Sequence, residues 1–444
     1  MLFNELNLPE EILRAVEDMG FSEATEIQSK AIPVMLEGKD LVGKSNTGTG
    51  KTAAFGIPAA VSVTRGGKNG VEVLILCPTR ELAMQACKEI EKFSAYMPWV
   101  KPCAVYGGAA MDKQISELRR GANIVVGTPG RVMDHIGRKT LKLENLRTIV
   151  LDEADEMLNM GFREDIETIL SFVPEERQTV LFSATMPPPI MAITKEYQND
   201  PVVIKVESKA RTVDTIEQKY FEVPMGRKTD ALKLLLIAYE PKLSMVFCNT
   251  KKMVDELTEA LVSKGFKAAG LHGDMKQASR TQVLSAFKSG SINVLIATDV
   301  AARGIDVEGV DCVFNYDLPQ DNEYYIHRIG RTGRAGKSGA AYTIINGRKQ
   351  FYELKNIASF IKADIARAEL PGRDEIVARK AAHVNEKILS AVESGKYESC
   401  RADVQKLMES GLSAEDIAVA LLGMRLSKDT KNIPEIISVP RDNG

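Results

Sequence analysis

Residues 45–52 read Ser45-Asn46-Thr47-Gly48-Thr49-Gly50-Lys51-Thr52, and the residues that follow, "AAFGIPAAV", continue in a helical pattern. A loop of small residues that ends in Gly-Lys-Thr and opens a helix gathers backbone amides and the positive end of the helix dipole around one point, which is how a chain holds a phosphate. Gly48 and Gly50 keep the backbone path tight, with Thr47 and Thr49 beside them. Lys51 is spaced to reach a β- and γ-phosphate, and Thr52 to help hold Mg2+. Ser45 stands where such loops usually carry glycine. Gly-Lys-Thr alone is a weak signal, since an ordinary glycine turn reads the same way, so a second stretch has to decide.

That stretch is "RTIVLDEAD" (147–155), an apolar strand followed at once by Asp152 and Glu153, where α/β sheets present ligand groups. Asp152 fits a metal-binding carboxylate and Glu153 a group that orients or deprotonates water; the competing reading is a solvated acidic turn. Together the two loops imply hydrolysis of a nucleoside triphosphate. Around them, short apolar runs alternate with helical patterns: "VEVLILC" (71–77), "NIVVG" (123–127), "RTIVL" (147–151) and "QTVLF" (178–182). Near-continuous apolar strands need cover on both faces, which points to a parallel sheet. The rhythm restarts with "LSMVFC" (243–248), "KAAGLHG" (267–273), "INVLIATD" (292–299) and "DCVFNYD" (311–317). The expected organisation is an α/β lobe over 1–205, a polar linker over 206–215 and a second α/β lobe over 216–367.

From "AELPG" (368–372) onward Phe and Trp are absent, and apolar residues recur at helical spacing: Ile376, Val377, Val384, Ile388, Leu389 and Val392, then Ile417, Leu421, Leu422 and Met424. Ser413 followed by Asp416 resembles a helix start. A small helical module is expected over 368–427 and a flexible tail over 428–444, "SVPRDNG" reading like a linker ahead of a further module.

The whole chain has 444 residues, 44% hydrophobic and 27% charged, too long for one core and too apolar for disorder. A formal net charge of -2 excludes a global basic field, so nucleic acid would need a local groove. The six cysteines are scattered without a Cys-x-x-Cys pair, which suggests free thiols in a reducing compartment. No signal peptide and no apolar run of about 18 residues is present, so the expectation is a cytoplasmic protein without a membrane partner.

With these motifs in order, the chain resembles the DEAD-box RNA helicases, the acidic motif reading literally Asp152-Glu153-Ala154-Asp155 and the likeness running from residue 3 to about 345. The resemblance implies two RecA-like parallel-sheet lobes in tandem, ATP with Mg2+ as cofactors, and RNA held by its backbone. "GFSEATEIQ" (20–28) resembles the family's adenine-reading motif, Gln28 contacting the base edge and Phe21 or Phe3 packing on or near the base. In the first lobe Pro78, Thr79 and Arg80, Gly107 and Gly108, and Thr128, Pro129, Gly130 and Arg131 are assigned to RNA, while Asp155, Ser183 and Thr185 link the nucleotide site to it. In the second lobe Asn249, Thr250, Gly273, Arg280 and Thr298 are assigned to RNA, Asp306 to the ribose, and His327 and Arg328 to coupling. Arg331 and Arg334 in "HRIGRTGR" (327–334) are read as arginine fingers.

With Lys51 and Glu153 in one lobe and the two arginines in the other, the expectation is an ATPase that closes on RNA and unwinds short duplexes without translocating. The alternatives are an ATP-gated clamp that serves as an assembly platform, and a DNA translocase. The spacing in 373–426 resembles the helical dimerisation module of some bacterial members of the family.

Overall fold

The computed structural model describes residues 1–45, 49–66, 70–206, 216–302, 305, 309–333, 339–395 and 397–430. Two compact units emerge, one built on Met1–Ala210 and the other on Arg211–Ala302 and Val307–Gly444. All but Val206 of the expected linker lies outside the described residues. The first unit holds β1 (Leu41–Lys44), β2 (Val73–Leu76), β3 (Pro102–Val105), β4 (Ile124–Gly127), β5 (Thr148–Leu151), β6 (Gln178–Ser183) and β7 (Val202–Lys205). The second holds β8 (Ile216–Glu222), β9 (Ser244–Phe247), β10 (Ala268–Leu271), β11 (Val294–Ala297), β12 (Cys312–Asn315), β13 (Gly339–Ile345) and β14 (Ala366–Ala368).

Every strand pair is parallel, in the orders β3-β4-β2-β5-β6-β1-β7 and β10-β11-β9-β12-β13-β8-β14. Adding seven to each number of the first order reproduces the second, so the two sheets share one topology. The eight apolar runs singled out in the sequence become β2, β4, β5, β6 and β9 to β12. In the first sheet, Val73, Ile75, Val126 and Val150 enter one core while Leu74, Leu76, Ile149 and Leu151 enter another. Period-two alternation thus feeds two faces, each covered by helices, and each fully buried side chain of this kind contributes about 1.5 to 3 kcal/mol.

The runs not singled out lack that density. Edge strands β3 and β7 are only partly buried, β14 is three residues of Ala-Arg-Ala, and β8 alternates polar residues beside that short edge. β1 contains Gly43 and ends in exposed Lys44, and β13 begins Gly-Ala-Ala, so both depend on their neighbours for strand conformation.

Beyond the second sheet come helices Arg373–Glu393, Arg401–Glu409 and Ala414–Thr430, which group with the second unit. Ser413 does cap the last of these, its Oγ accepting from Asp416 N at 3.0 Å. The first is anchored by its N-terminal half: Ile376 is fully buried, Lys380 pairs with Glu240 at 3.4 Å, and Arg379 lies over the Tyr239 ring. Leu389, Val392, Leu421 and Met424 are instead 60–75% exposed. The expected tail lies, from residue 431 on, outside the described residues. Among the described residues all six cysteines are free thiols, and no helix is long and apolar enough to cross a membrane.

Candidate nucleotide and RNA site

The phosphate loop joins β1 to the helix Lys51–Ser62. Gly50 caps this helix at φ 90°, and a Cβ there would lie 2.4 Å from Gln28 Nε2, so the position excludes side chains twice over. Lys51 is 7% exposed, yet its Nζ has no hydrogen-bond partner among the described residues. A buried ammonium in that condition calls for an anion, and the donor set fits a polyphosphate. Ser45 hydrogen bonds through its hydroxyl to Thr49, and its backbone N donates to Ser183 O at 3.0 Å. The hydroxyl bond to Thr49 is a tether at the loop mouth that glycine could not make. Thr47 and Gly48 lie outside the described residues.

Asp152, directly after β5, accepts from Glu153 N at 3.0 Å. Burial pushes its carboxyl up to about 7, with Lys51 opposing and Glu153 reinforcing the shift. A cation beside it would restore the ionised form, which fits Mg2+ shared between Asp152, Thr52, phosphate and water. Among the described residues no group of three or more His, Cys, Asp or Glu forms a metal cage of its own. Glu153 sits in the left-handed region at φ 49°, a strain of about 1 to 2 kcal/mol for a residue with a Cβ. Asp155 Oδ2 accepts from both Thr185 N (2.8 Å) and Thr185 Oγ1 (2.9 Å), and Ser183 Oγ donates to Thr185 O (2.6 Å). The acidic motif and the segment after β6 are thereby joined.

Gln28 is tied into the same loop. Its Oε1 accepts from Thr25 N at 2.9 Å and its Nε2 donates to Gly50 O at 3.1 Å, so the amide links the segment 20–28 to the loop that precedes Lys51. Phe3 is buried and stacks on Phe21 with ring centroids 6.4 Å apart, while Phe21 is 43% exposed. Of the two aromatics, Phe21 has the open face.

The other group of first-unit residues follows β2, β3 and β4. Buried Pro78 precedes Thr79, whose hydroxyl caps the helix Arg80–Phe93 by accepting from Leu82 N. Gly108 adopts φ 87°, and a Cβ there would lie 2.3 Å from Arg80 Nη1, so Arg80 packs on the Gly107–Gly108 turn. Thr128 and Pro129, both buried, and Gly130 open the helix Pro129–Gly137. Arg131, next in line, donates to Tyr106 O at 3.1 Å and also to Ala109 O. Its guanidinium is engaged with the carbonyls flanking the glycines. His135 on the same helix is fully buried between Thr140 and Gln114; burial first, then Arg131, hold its pKa below the ordinary value.

In the second unit the corresponding residues follow β9, β10 and β11. Thr250 caps the helix Lys251–Val262 as Thr79 does, its hydroxyl accepting from Met253 N. Gly273 has open space where a Cβ would lie, and Thr298 is half-buried. Arg280 is 7% exposed and donates to His272 O and Ala301 O, bracing the backbone. Arg328 is 1% exposed and joins Asp299 at 2.6 and 2.7 Å, Asn249 Oδ1 at 2.9 Å and Asp317 O. His327 O accepts from Arg331 Nε at 3.3 Å. Asp306 and Arg334 lie outside the described residues.

Sequence reasoning passed over Asp317, Asp299, Gln114 and His135. Asp317 follows an apolar strand as Asp152 does, so that signal was available; Gln114 and His135 carry no local signal.

The DEAD/DEAH box helicase family profile matches residues 25–193, the helicase conserved C-terminal domain 227–336, and the RNA helicase DeaD dimerization domain 371–436. The chain belongs to the DEAD-box ATP-dependent RNA helicases, and is an ATP-hydrolysing enzyme of that class. It is 47% identical over 428 residues to the DEAD-box ATP-dependent RNA helicase CshA of Geobacillus kaustophilus, covering 96% of this chain and 91% of the relative. It is 48% identical over 439 residues to the ATP-dependent RNA helicase CshA of Listeria monocytogenes, covering 99% and 84%. Saccharomyces cerevisiae Dbp5 bound to RNA and ADP BeF3 matches at TM-score 0.77 and 32% identity, over 84% of this chain and 97% of that one.

Proposed function

We propose that the enzyme couples ATP binding and hydrolysis to closure of its two lobes on RNA, with local, non-processive strand separation or remodelling of RNA–protein complexes as the outcome. The observation that carries this reading is the shared topology. The residues assigned to RNA follow β2, β3 and β4 in one sheet and their counterparts β9, β10 and β11 in the other. Only the first sheet carries the phosphate loop and the acidic motif, and only the second carries Arg331 and Arg334.

In this reading Lys51 holds the β- and γ-phosphates, and Glu153, held in its left-handed turn, orients or deprotonates water. Thr52 and Asp152 hold Mg2+, which neutralises phosphate charge when bound. Phe21, backed by Phe3, packs on adenine; Gln28 takes the base edge with what remains of its amide, and Asp306 approaches the ribose. Arg331 and Arg334 meet the γ-phosphate on closure. The RNA contacts are backbone amides, hydroxyls and cations, which suit phosphates and 2′-hydroxyls and leave bases unread. Here Arg80 and Thr298 act directly, while Arg131 and Arg280 shape the surface. Each ligand favours the closed state, so ATP and RNA reinforce one another. Residues 373–426 pair with the same segment of a second chain, a reading supported by the dimerization profile and the exposed apolar positions.

ATP turnover measured with and without RNA tests the coupling. The wild-type rate rises with RNA and less so with DNA, whereas Glu153→Gln keeps ATP and RNA binding and loses turnover. Hydrolysis by Glu153→Gln at the wild-type rate would remove Glu153 from the reaction, and a wild-type rate indifferent to RNA would remove the coupling.

A further inference from the structure

We propose that His135 and Gln114, which lie outside the motifs read in the sequence, are positioning residues for RNA binding that clamp the Gly107–Gly108 turn to the Thr128–Arg131 segment. The proposal rests on reading those two segments as RNA contacts.

The turn has two glycines in succession, so its own backbone supplies little stiffness, and its shape depends on what grips its ends. Those ends are the carbonyls of Tyr106 and Ala109. Tyr106 O accepts from Arg131 Nε at 3.1 Å and from Gln114 Nε2 at 3.0 Å, which uses both its lone pairs. Gln114 is 3% exposed, and its Oε1 meets His135 Nε2 at 3.0 Å. Because the amide donates to Tyr106, its oxygen faces the imidazole, so Nε2 carries the proton and Nδ1 is left as an acceptor 2.8 Å from Thr140 Oγ1, whose one hydrogen is shared between Nδ1 and His135 O at 3.1 Å. Both ring nitrogens of His135 and both polar atoms of the Gln114 amide then have a partner.

Arg131 and His135 are four residues apart on the helix Pro129–Gly137 and share a face of it. One helix therefore reaches the same carbonyl twice, directly through Arg131 and by relay through His135 and Gln114. The helix begins with the Thr128–Arg131 segment, so the relay sets the spacing between two RNA-facing segments. Neither relay side chain reaches solvent, so neither can touch RNA itself.

The test is RNA-stimulated ATP turnover of the full chain carrying His135→Phe, Gln114→Leu or both. Each single change should raise the RNA concentration for half-stimulation by about tenfold, the order expected when one buried hydrogen bond is lost and its partner left unsatisfied. The rate at saturating RNA and the KM for ATP without RNA should hold. His135 acts only through Gln114, so the double variant should be no weaker on RNA than Gln114→Leu alone. Gln114→Glu, which preserves shape and the acceptor for His135 but not the donor to Tyr106, should weaken RNA as Gln114→Leu does. Additive losses, or a raised KM for ATP without RNA, would mark the pair as general packing and overturn the proposal. Arg80→Ala separates the two levels. If it weakens RNA while the relay variants do not, the relay alone fails; if neither it nor they do, this surface is not where RNA binds.

Discussion

The fold controls the charge state of His135. Burial, with Arg131 and Arg138 adding to it and Asp134 opposing, lowers its pKa below the ordinary value of about 6.5, and its other neighbours, Thr140 and Gln114, are neutral. The folded state therefore takes up this proton later than the unfolded chain as pH falls. Its contribution to stability is complete above about pH 6.5 and is lost as pH drops through the folded pKa. The thermal midpoint of the wild type should accordingly fall more steeply between about pH 7 and about pH 5 than that of His135→Phe, measured by scanning calorimetry. Parallel curves would show that the imidazole titrates as it does in the unfolded chain. At the same scale, Ser45 was legible as standing where glycine is usual, but its bond to Thr49 was not, since a hydroxyl's partner is chosen by the folded loop.

Two helices repeat one device at equivalent places. Arg80–Phe93 follows β2 and Lys251–Val262 follows β9, and each is capped by a threonine, Thr79 or Thr250, whose hydroxyl accepts from the backbone N–H three residues on. Such a cap satisfies one of the unpaired amides of the first turn, and its loss costs about 1 kcal/mol. Thr79→Ala and Thr250→Ala should each lower unfolding stability by about that amount in urea titration, while Thr→Ser at either place should restore most of it. Serine as damaging as alanine would assign the effect to the threonine methyl. The strands show why legibility stops where it does. "VLIL" and "TIVL" announce themselves because both faces are buried, whereas β13, "GAAYTII", becomes a strand because β12 and β8 flank it.

For the whole molecule, the C-terminal helices combine a fixed attachment with an open face. Ile376 and the Lys380–Glu240 pair join the first of them to the second unit, whereas Leu389, Val392 and Leu421 expose apolar surface to solvent. So short a segment buries too little within itself to be stable by its own core, and the self-paired arrangement proposed above would supply the missing area. Val392→Glu combined with Leu421→Glu should convert a dimer into a monomer in light scattering at micromolar concentration while leaving RNA-stimulated ATPase in place. A wild-type chain that is already monomeric would leave this face to another partner.

The sequence by itself determined the alternation of strands and helices, the phosphate loop, the acidic motif after β5 and the helical character of the C-terminal segment. Each depends on residues contiguous in the chain, where spacing and side-chain type suffice. Only the tertiary structure decided that Gln28 holds Gly50, that Asp155 holds Thr185, and that Arg328 gathers Asn249 and Asp299. It also decided that Arg131 and Arg280 brace carbonyls and that both sheets follow one strand order. The physical reason is distance along the chain. Parallel strands and buried polar networks join residues 22, 30 or 79 positions apart, and no local pattern records which donor will meet which acceptor once the sheet has assembled.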